Sequence, residues 1–386
     1  MKIAFLGQKG IPMKFGGVEK HVEELAVGLK KRGHQVFAYT RPWYTDPKLK
    51  EYKGVELISI KSINTKHLDA ISHTFRASIH ALRQNYDIIH YHGVGPALLA
   101  WIPKIFKPKA KVVVTFHCID RQHMKWGWIA RLALRMGEWA AINFADDTIT
   151  VSKVLQLYCS KTYGASTVYV PNGADVPQLK TPKVITEKFG LKGDDYILFM
   201  SRLVKHKGAH YLIEAYNKLK TDKKLVIAGG SSFTDDYVKK IKELSKDNPN
   251  IIFTGNVEGG SDLWQELYSN AYIFVHPSEF EGLPFVVLEA MSFGRCVLVS
   301  DIHENLEILA DRFGFSFEKS NVNDLKNKIQ YLLDCPDLVK NIGEDARDHI
   351  KDVYSWQGIV DSIEVLYLNV LNESERARIN REFKKV

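Results

Sequence analysis

Cysteine is scarce: four residues in 386, at Cys118, Cys159, Cys296 and Cys335, with no paired spacing. That argues against a disulfide framework or a cysteine-ligated zinc site, and for a reducing compartment. No window offers about twenty uninterrupted apolar residues, so no transmembrane helix is expected. The opening Met1-Lys-Ile-Ala-Phe-Leu-Gly7 is too short an apolar run for a signal peptide and reads as a first buried strand. A G-x-G-x-x-G fingerprint, a Walker lysine motif and a G-x-S-x-G elbow are all missing. Asp146-Asp147 is an acidic pair, but both residues stand at the entry of an apolar strand and no third ligand is suggested. No low-complexity tract and no short repeat occur. The expectation is a cytoplasmic chain.

What is present is an ordinary globular composition, 45% hydrophobic and 25% charged. The length exceeds one average domain, so two are expected. A net charge of +8 favours polyanionic partners: phosphate-bearing ligands, an anionic membrane or nucleic acid. Nucleic acid has only the charge behind it and no motif.

Short Val- and Ile-rich runs alternate with helical patterns. Strands are predicted at Lys2–Leu6, Gln35–Thr40, Val55–Ile60, Ile88–Tyr91, Lys111–Phe116, Asp147–Val151 and Thr167–Val170. Between the first two, Val18, Val22, Leu25 and Leu29 form one helical stripe over Gly17–Lys31, closed by Gly33. The turn cluster Pro171-Asn-Gly-Ala-Asp175 precedes a Pro- and Lys-bearing stretch that reads as a linker, 176–193. The pattern then restarts, with strands at Tyr196–Ser201, Leu225–Ala228, Ile251–Gly255, Ile273–His276 and Cys296–Ser300. Strand–helix–strand alternation means parallel sheets covered by helices. The expected organisation is an α/β fold of two doubly wound, Rossmann-like domains. The first spans 1–175, the second 194–355, and a C-terminal helix spans 356–386.

Open parallel sheets bind ligands at the carboxyl ends of their strands, and four stretches fall there or nearby. The loop Gly7 to Glu19 carries Gly16-Gly17 at a helix start, where backbone can approach a phosphate closely; the alternative is a plain flexible loop. Thr115-Phe-His117 ends a strand, and a neutral imidazole there could bond a sugar hydroxyl; a structural histidine is the alternative. Asp120 could serve the same site or cap the next helix. Ser201-Arg-Leu-Val-Lys-His-Lys-Gly208 offers the fork of Arg202 and the point charge of Lys207 to a pyrophosphate, or is a solvated basic loop. His276 to Met291 holds Glu281 in a turn and Glu289 in the helix that Pro284 opens. Separately, Lys125, Trp126, Trp128, Arg131, Arg135 and Trp139 mix indoles with cations, as at a membrane interface. A core-packed helix with a basic outer face is the competing reading.

Together these residues resemble the family 4 glycosyltransferases, retaining enzymes of the GT-B fold. G-G-V-E, T-F-H, V-P-N-G-A-D, S-R-L-V-K-H-K-G and P-S-E-F-E-G-L-P-F-V-V-L-E-A-M occur in order over nearly the whole chain. The last is the family's E-x7-E pattern. The opening G-Q-K-G-I-P and G-G-V-E also look like a bacterial subgroup of rhamnosyl and mannosyl transferases that builds surface polysaccharide. Cys118 departs from the pattern, standing where a glycine is common.

The resemblance implies a nucleoside-diphosphate sugar donor in an interdomain cleft, a glycan or lipid-linked acceptor, and no metal or other cofactor. It assigns the diphosphate to Arg202, Lys207 and the N–H groups of Gly16 and Gly17, and the ribose to Glu289. Glu281, with Gly282, Leu283 and Pro284, takes the transferred sugar, and His117 faces its reacting side. Gly255 and Val257 line the base. The C-terminal helix is expected to cross back to the first domain. Asp120, Lys125, Trp126 and Arg131 are candidates for the acceptor side. With no nucleophile evident, a front-face transfer is implied. The alternative is a nucleotide-sugar-binding protein without activity.

Overall fold

The computed structural model describes residues 1–65, 68–122, 127–232 and 234–383, with 373–383 described by backbone alone. Lys125 and Trp126 therefore lie outside the described residues. Two compact units are present: Met1–Asn172 with Trp356–Val386, and Gly173–Ser355. Among the described residues no helix is long and apolar enough to cross a membrane.

The first unit is built on eight strands: β1 (Lys2–Leu6), β2 (Gln35–Thr40), β3 (Glu51–Tyr52), β4 (Val55–Ser59), β5 (Ile88–His92), β6 (Lys111–Phe116), β7 (Asp147–Thr150) and β8 (Val168–Tyr169). Their order is β3-β4-β2-β1-β5-β6-β7-β8. Every pairing is parallel except that of β3 with β4. The two-residue β3 has no periodicity to read, which is why the sequence does not announce it. Ile88–His92 and Lys111–Phe116 are almost wholly buried, as central parallel strands covered on both faces must be. Helix Gly17–Lys31 lays Val22, Leu25 and Leu29 into the core. Helix Trp356–Phe383 belongs to this unit too. Its Trp356, Ile359, Val360, Ile363, Tyr367 and Val370 are buried at helical spacing. Arg32 bridges Asp361 and Glu364 at 2.6 and 2.9 Å.

The second unit has six strands: β9 (Tyr196–Met200), β10 (Lys224–Ala228), β11 (Ile251–Gly255), β12 (Ile273–His276), β13 (Cys296–Ser300) and β14 (Phe315–Phe317). They are ordered β11-β10-β9-β12-β13-β14 and are all parallel. The stretch 176–193 is not an open linker. It holds helix Val184–Phe189, and Ile185 and Leu191 are fully buried. Glu266 accepts hydrogen bonds from the backbone N–H groups of Lys183 and Ile185 at 2.9 and 3.1 Å. Its Pro and Lys content suggested a tether, but two apolar side chains and one buried carboxylate fasten it to the unit.

Candidate active site

In the second unit the chain runs β9, β10, β11 toward one edge, then returns so that β12 lies on the other side of β9. That reversal is a topological switch point, where loops diverge and leave a crevice at the strand carboxyl ends. The loop after β9 carries Arg202 and Lys207, and the loop after β12 carries Glu281. The two loops are tied together. The Glu279 N–H donates to the His206 carbonyl at 2.8 Å, and the His206 ring stacks on Phe280 with centroids 4.4 Å apart.

Gly208 lets the loops come this close. Its φ is +74°, and a Cβ there would stand 1.9 Å from the Pro277 carbonyl oxygen. Gly208→Ala is therefore expected to destabilise the protein by at least about 2 kcal/mol, measurable as a lower urea midpoint. An unchanged midpoint would remove Gly208 from this account.

Lys207 Nζ reaches Glu281 Oε1 at 2.5 Å, and His276 Nε2 reaches the same oxygen at 2.7 Å. All three groups are largely buried. Burial alone would raise the Glu281 carboxyl, but the Lys207 charge and the His276 hydrogen bond outweigh it and hold the group far below the usual carboxylate range. Burial lowers His276, and Glu281 only partly offsets this. The imidazole is thus neutral and donates its Nε2–H to the carboxylate. Neither partner uses Oε2 of Glu281. Arg202 is exposed and makes no ion pair among the described residues, so its fork is available to an anion. Glu289 is buried in helix Phe285–Ser292 and accepts from the Tyr268 hydroxyl at 3.2 Å. Gly282, Leu283 and Pro284 form the buried turn between the two acids. Gly255 ends β11 with φ +73°, its carbonyl taken by the Gly229 N–H at 2.9 Å, and Val257 is half-buried just beyond.

Glu304, in helix His303–Leu309 after β13, was not singled out in the sequence. Burial raises its carboxyl, and the Glu281 charge raises it further. Only the fold brings the two acids within electrostatic reach.

In the first unit the equivalent reversal lies at β1, between β2 and β5. Gly16 caps helix Gly17–Lys31 with φ +110°, and a Cβ there would meet a Glu19 carboxylate oxygen at 2.0 Å. Glu19 is buried and pairs with Lys9 at 3.1 Å, so this helix start already has an acidic side chain packed on it. His117 does not stand alone. Its Nε2 lies 3.1 Å from Nδ1 of His92, and its ring meets that of His21 edge-on at 4.9 Å. His21 Nδ1 bonds Asn172 Oδ1 at 3.0 Å. His90 behind them is saturated by Tyr367 and Thr115 at 2.6 and 2.7 Å. Burial pushes His21 down to about 4 and lowers His90, His92 and His117 well below their ordinary value. His21 Nε2 and His92 Nε2 are buried with no partner. Each such orphan costs about 1–3 kcal/mol. The sequence showed His21 and His92 only as polar residues inside an apolar helix and strand.

Asp120 caps no following helix. It begins the short turn Asp120–Gln122 and accepts a hydrogen bond from the Cys118 thiol at 3.2 Å, whereas the next helix is capped by Gly127. Asp146 pairs with Lys104 and Lys111 at 2.8 and 3.4 Å and holds the Val112 N–H, a structural role. The core-packing reading of helix Trp128–Asn143 does not hold. Trp128 is 76% and Ile129 65% exposed, and Leu132, Met136, Trp139, Arg131 and Arg135 are exposed as well. Gly137, Glu138, Ala140 and Ala141 are buried, and Leu134 and Ile142 are half-buried. Glu138 is fully buried and receives the Tyr158 and Tyr163 hydroxyls, each at 2.7 Å.

The family description "Glycosyltransferase Family 4" matches residues 15–178, and "Glycosyl transferases group 1" matches 183–349. The uncharacterized glycosyltransferase MJ1607 of Methanocaldococcus jannaschii is 27% identical over 384 residues, covering 93% of this chain and 96% of its own. The capsular polysaccharide biosynthesis glycosyltransferase CapM of Staphylococcus aureus is 25% identical over 203 residues, 51% of this chain and 52% of its own. Among solved structures, Anabaena Alr3699/HepE in complex with UDP and glucose superposes with a TM-score of 0.80 at 21% identity, covering 96% of this chain and all of that one. With two adjoining family matches over most of its length and a GT-B neighbour over nearly all of it, the chain belongs to the family 4 glycosyltransferases.

Proposed function

We propose that this glycosyltransferase is a retaining hexosyltransferase that uses a nucleoside-diphosphate sugar, with an acceptor among the glycans or lipid-linked sugars of the cell surface. The reading rests above all on the buried Lys207–Glu281–His276 cluster at the β9/β12 switch point, with Arg202 exposed on the same loop as Lys207. Alr3699/HepE, solved with UDP and glucose, supports the donor class, and CapM supports the polysaccharide setting.

As the bond from sugar to phosphate breaks, negative charge gathers on the departing diphosphate. Arg202 and Lys207 stabilise it there, so no divalent ion is needed to neutralise it. Glu281 holds Lys207 in place through Oε1 and offers Oε2 to a sugar hydroxyl. Glu289 takes the ribose hydroxyls, and Gly255 and Val257 take the base. Gly16, Gly17 and His117 keep the diphosphate and reacting-sugar roles that the resemblance gave them.

The test is calorimetry with UDP and GDP, followed by a donor screen that reads released diphosphate. Arg202→Ala is expected to weaken diphosphate binding by roughly ten- to a hundredfold, the worth of a charge-assisted contact. Unchanged affinity would end the assignment. Tight diphosphate binding with no transfer from any donor would favour the inactive binding protein.

The stripe of Trp128, Ile129, Leu132, Met136 and Trp139, flanked by Arg131 and Arg135, fits peripheral contact with an anionic membrane, where acceptor lipids reside. Binding to phosphatidylglycerol vesicles is expected in flotation at low salt. Loss at high salt should follow, since each surface cation contributes about 1 kcal/mol through screened attraction. Absence of flotation at low salt would refute this contact.

A further inference from the structure

We propose that His21, His92 and His117 form a binding site for one transition-metal ion of the zinc class. One ring nitrogen from each lies within 4.8 Å of the other two, and all three residues are buried. His92 ends β5 and His117 directly follows β6, while His21 projects from helix Gly17–Lys31. Three separate elements thus converge on one point at the strand carboxyl ends. His92 Nδ1 and His117 Nε2 stand 3.1 Å apart. Two ligands of a tetrahedral ion bonded at about 2.0–2.1 Å are separated by roughly 3.3 Å. The pair is therefore close to chelating spacing already, and the third ring has a short distance to close.

The donor chemistry selects the ion. Three imidazoles with no carboxylate suit zinc, cobalt or nickel and disfavour magnesium and calcium, which require oxygen. Three histidines also leave a fourth position for water. The outer contacts are those a metal site needs. Asn172 Oδ1 accepts from Nδ1 of His21, which fixes the tautomer and leaves Nε2 with its lone pair. That Nε2 is buried without a partner. An orphaned nitrogen aimed at the cluster is what a missing ion would leave. His90 stands outside the set because Tyr367 and Thr115 use both its nitrogens. His117 retains 9% exposure, against 0% for His21 and 2% for His92, and gives the ion its way in. Such an ion would occupy Nε2 of His117 and so replace the reacting-sugar role given to that residue above, while the diphosphate chemistry stays with Arg202 and Lys207.

The experiment uses the full chain, stripped with chelator and titrated with cobalt(II) chloride. One equivalent should bind with the visible absorption of a four- or five-coordinate, nitrogen-ligated ion. His21→Gln and His92→Gln are each expected to weaken binding at least a hundredfold, and Asn172→Ala roughly ten- to a hundredfold. His303→Gln, at an exposed position, should leave it unchanged. Absence of a one-equivalent site, or a site unaltered in both histidine variants, overturns the proposal. Because buried variants can fail to fold, X-ray absorption of zinc-loaded wild-type protein supplies a second reading. Three imidazoles in the shell support the site, and fewer than three overturn it. Neither readout depends on sugar transfer, so failure here is distinguishable from failure of the donor assignment.

Discussion

Lys207→Met is expected to cut transfer by roughly a hundred- to a thousandfold, because the lost charge acts on the diphosphate as it departs. Stability should fall as well. Glu281 would keep its bond from His276 but lose the ammonium 2.5 Å away. Breaking a buried pair on one side costs about 3–5 kcal/mol, and the remaining imidazole places this variant near the lower end. Glu281→Gln should also lose transfer while retaining the His276 hydrogen bond. The double variant separates the two effects. With Lys207→Met and Glu281→Gln together, no charge is left unpaired, and stability should return to within about 1 kcal/mol of the parent. Transfer should not return, since neither the cation nor the carboxylate is present. Chemical denaturation and initial rates on the four proteins give the cycle. Wild-type turnover in Lys207→Met would show that the pair is only structural.

Acid should unfold the metal-free protein unusually early, and the first unit should be responsible. Burial holds His21 near 4, and likewise His73, which is buried in helix Asp69–Leu82 of the same unit; His90, His92 and His117 lie well below their ordinary value. A histidine whose folded pKa is depressed binds fewer protons in the folded than in the unfolded chain between the two values. Stability then rises with pH across that window. For His21 the contribution is fully present above about 6.5 and declines as pH falls toward 4. At pH 5 about 2 kcal/mol of it is gone. Several such groups together rival the 5–15 kcal/mol that holds a typical domain folded. Glu281 acts in the same direction but lower, its contribution being lost only as pH drops below the ordinary carboxylate range. Urea midpoints measured from pH 7.5 to 5 should fall steeply, and His21→Gln should flatten the slope by about one proton. A midpoint constant over that range would mean the cluster is solvated or charged.

The sequence made much of the fold legible because the central strands of both sheets are buried on both faces. Lys2–Leu6, Gln35–Thr40, Lys111–Phe116, Ile251–Gly255, Ile273–His276 and Cys296–Ser300 lie where unbroken Val, Ile, Leu and Phe runs placed them. Helix Gly17–Lys31 also begins and ends as its glycines and apolar stripe indicated. What escaped was short or context-bound. Glu51–Tyr52 and Phe315–Phe317 carry too few residues for a period. Val184–Phe189 was hidden in a basic, proline-bearing stretch because its stabilising partner, Glu266, is far along the chain. Helix Trp128–Asn143 looked equally suited to a core or a surface. Its packing decided the matter by burying the small residues and turning the tryptophans outward.

For the site, local spacing alone marked Arg202, Lys207, Glu281 and Glu289, since the pattern S-R-L-V-K-H-K-G and the two spaced acids are contiguous in sequence. Sheet order decided that Lys207 and Glu281, 74 positions apart, share one oxygen contact, because β12 returns beside β9. The same kind of reversal at β1 gathered His21, His92 and His117, which no spacing rule connects. Residue type and periodicity act along the chain, so the chain alone dictates strands, caps and motif chemistry. Charge pairing and ligand geometry act through space, and only the order in which the strands assembled could set those distances.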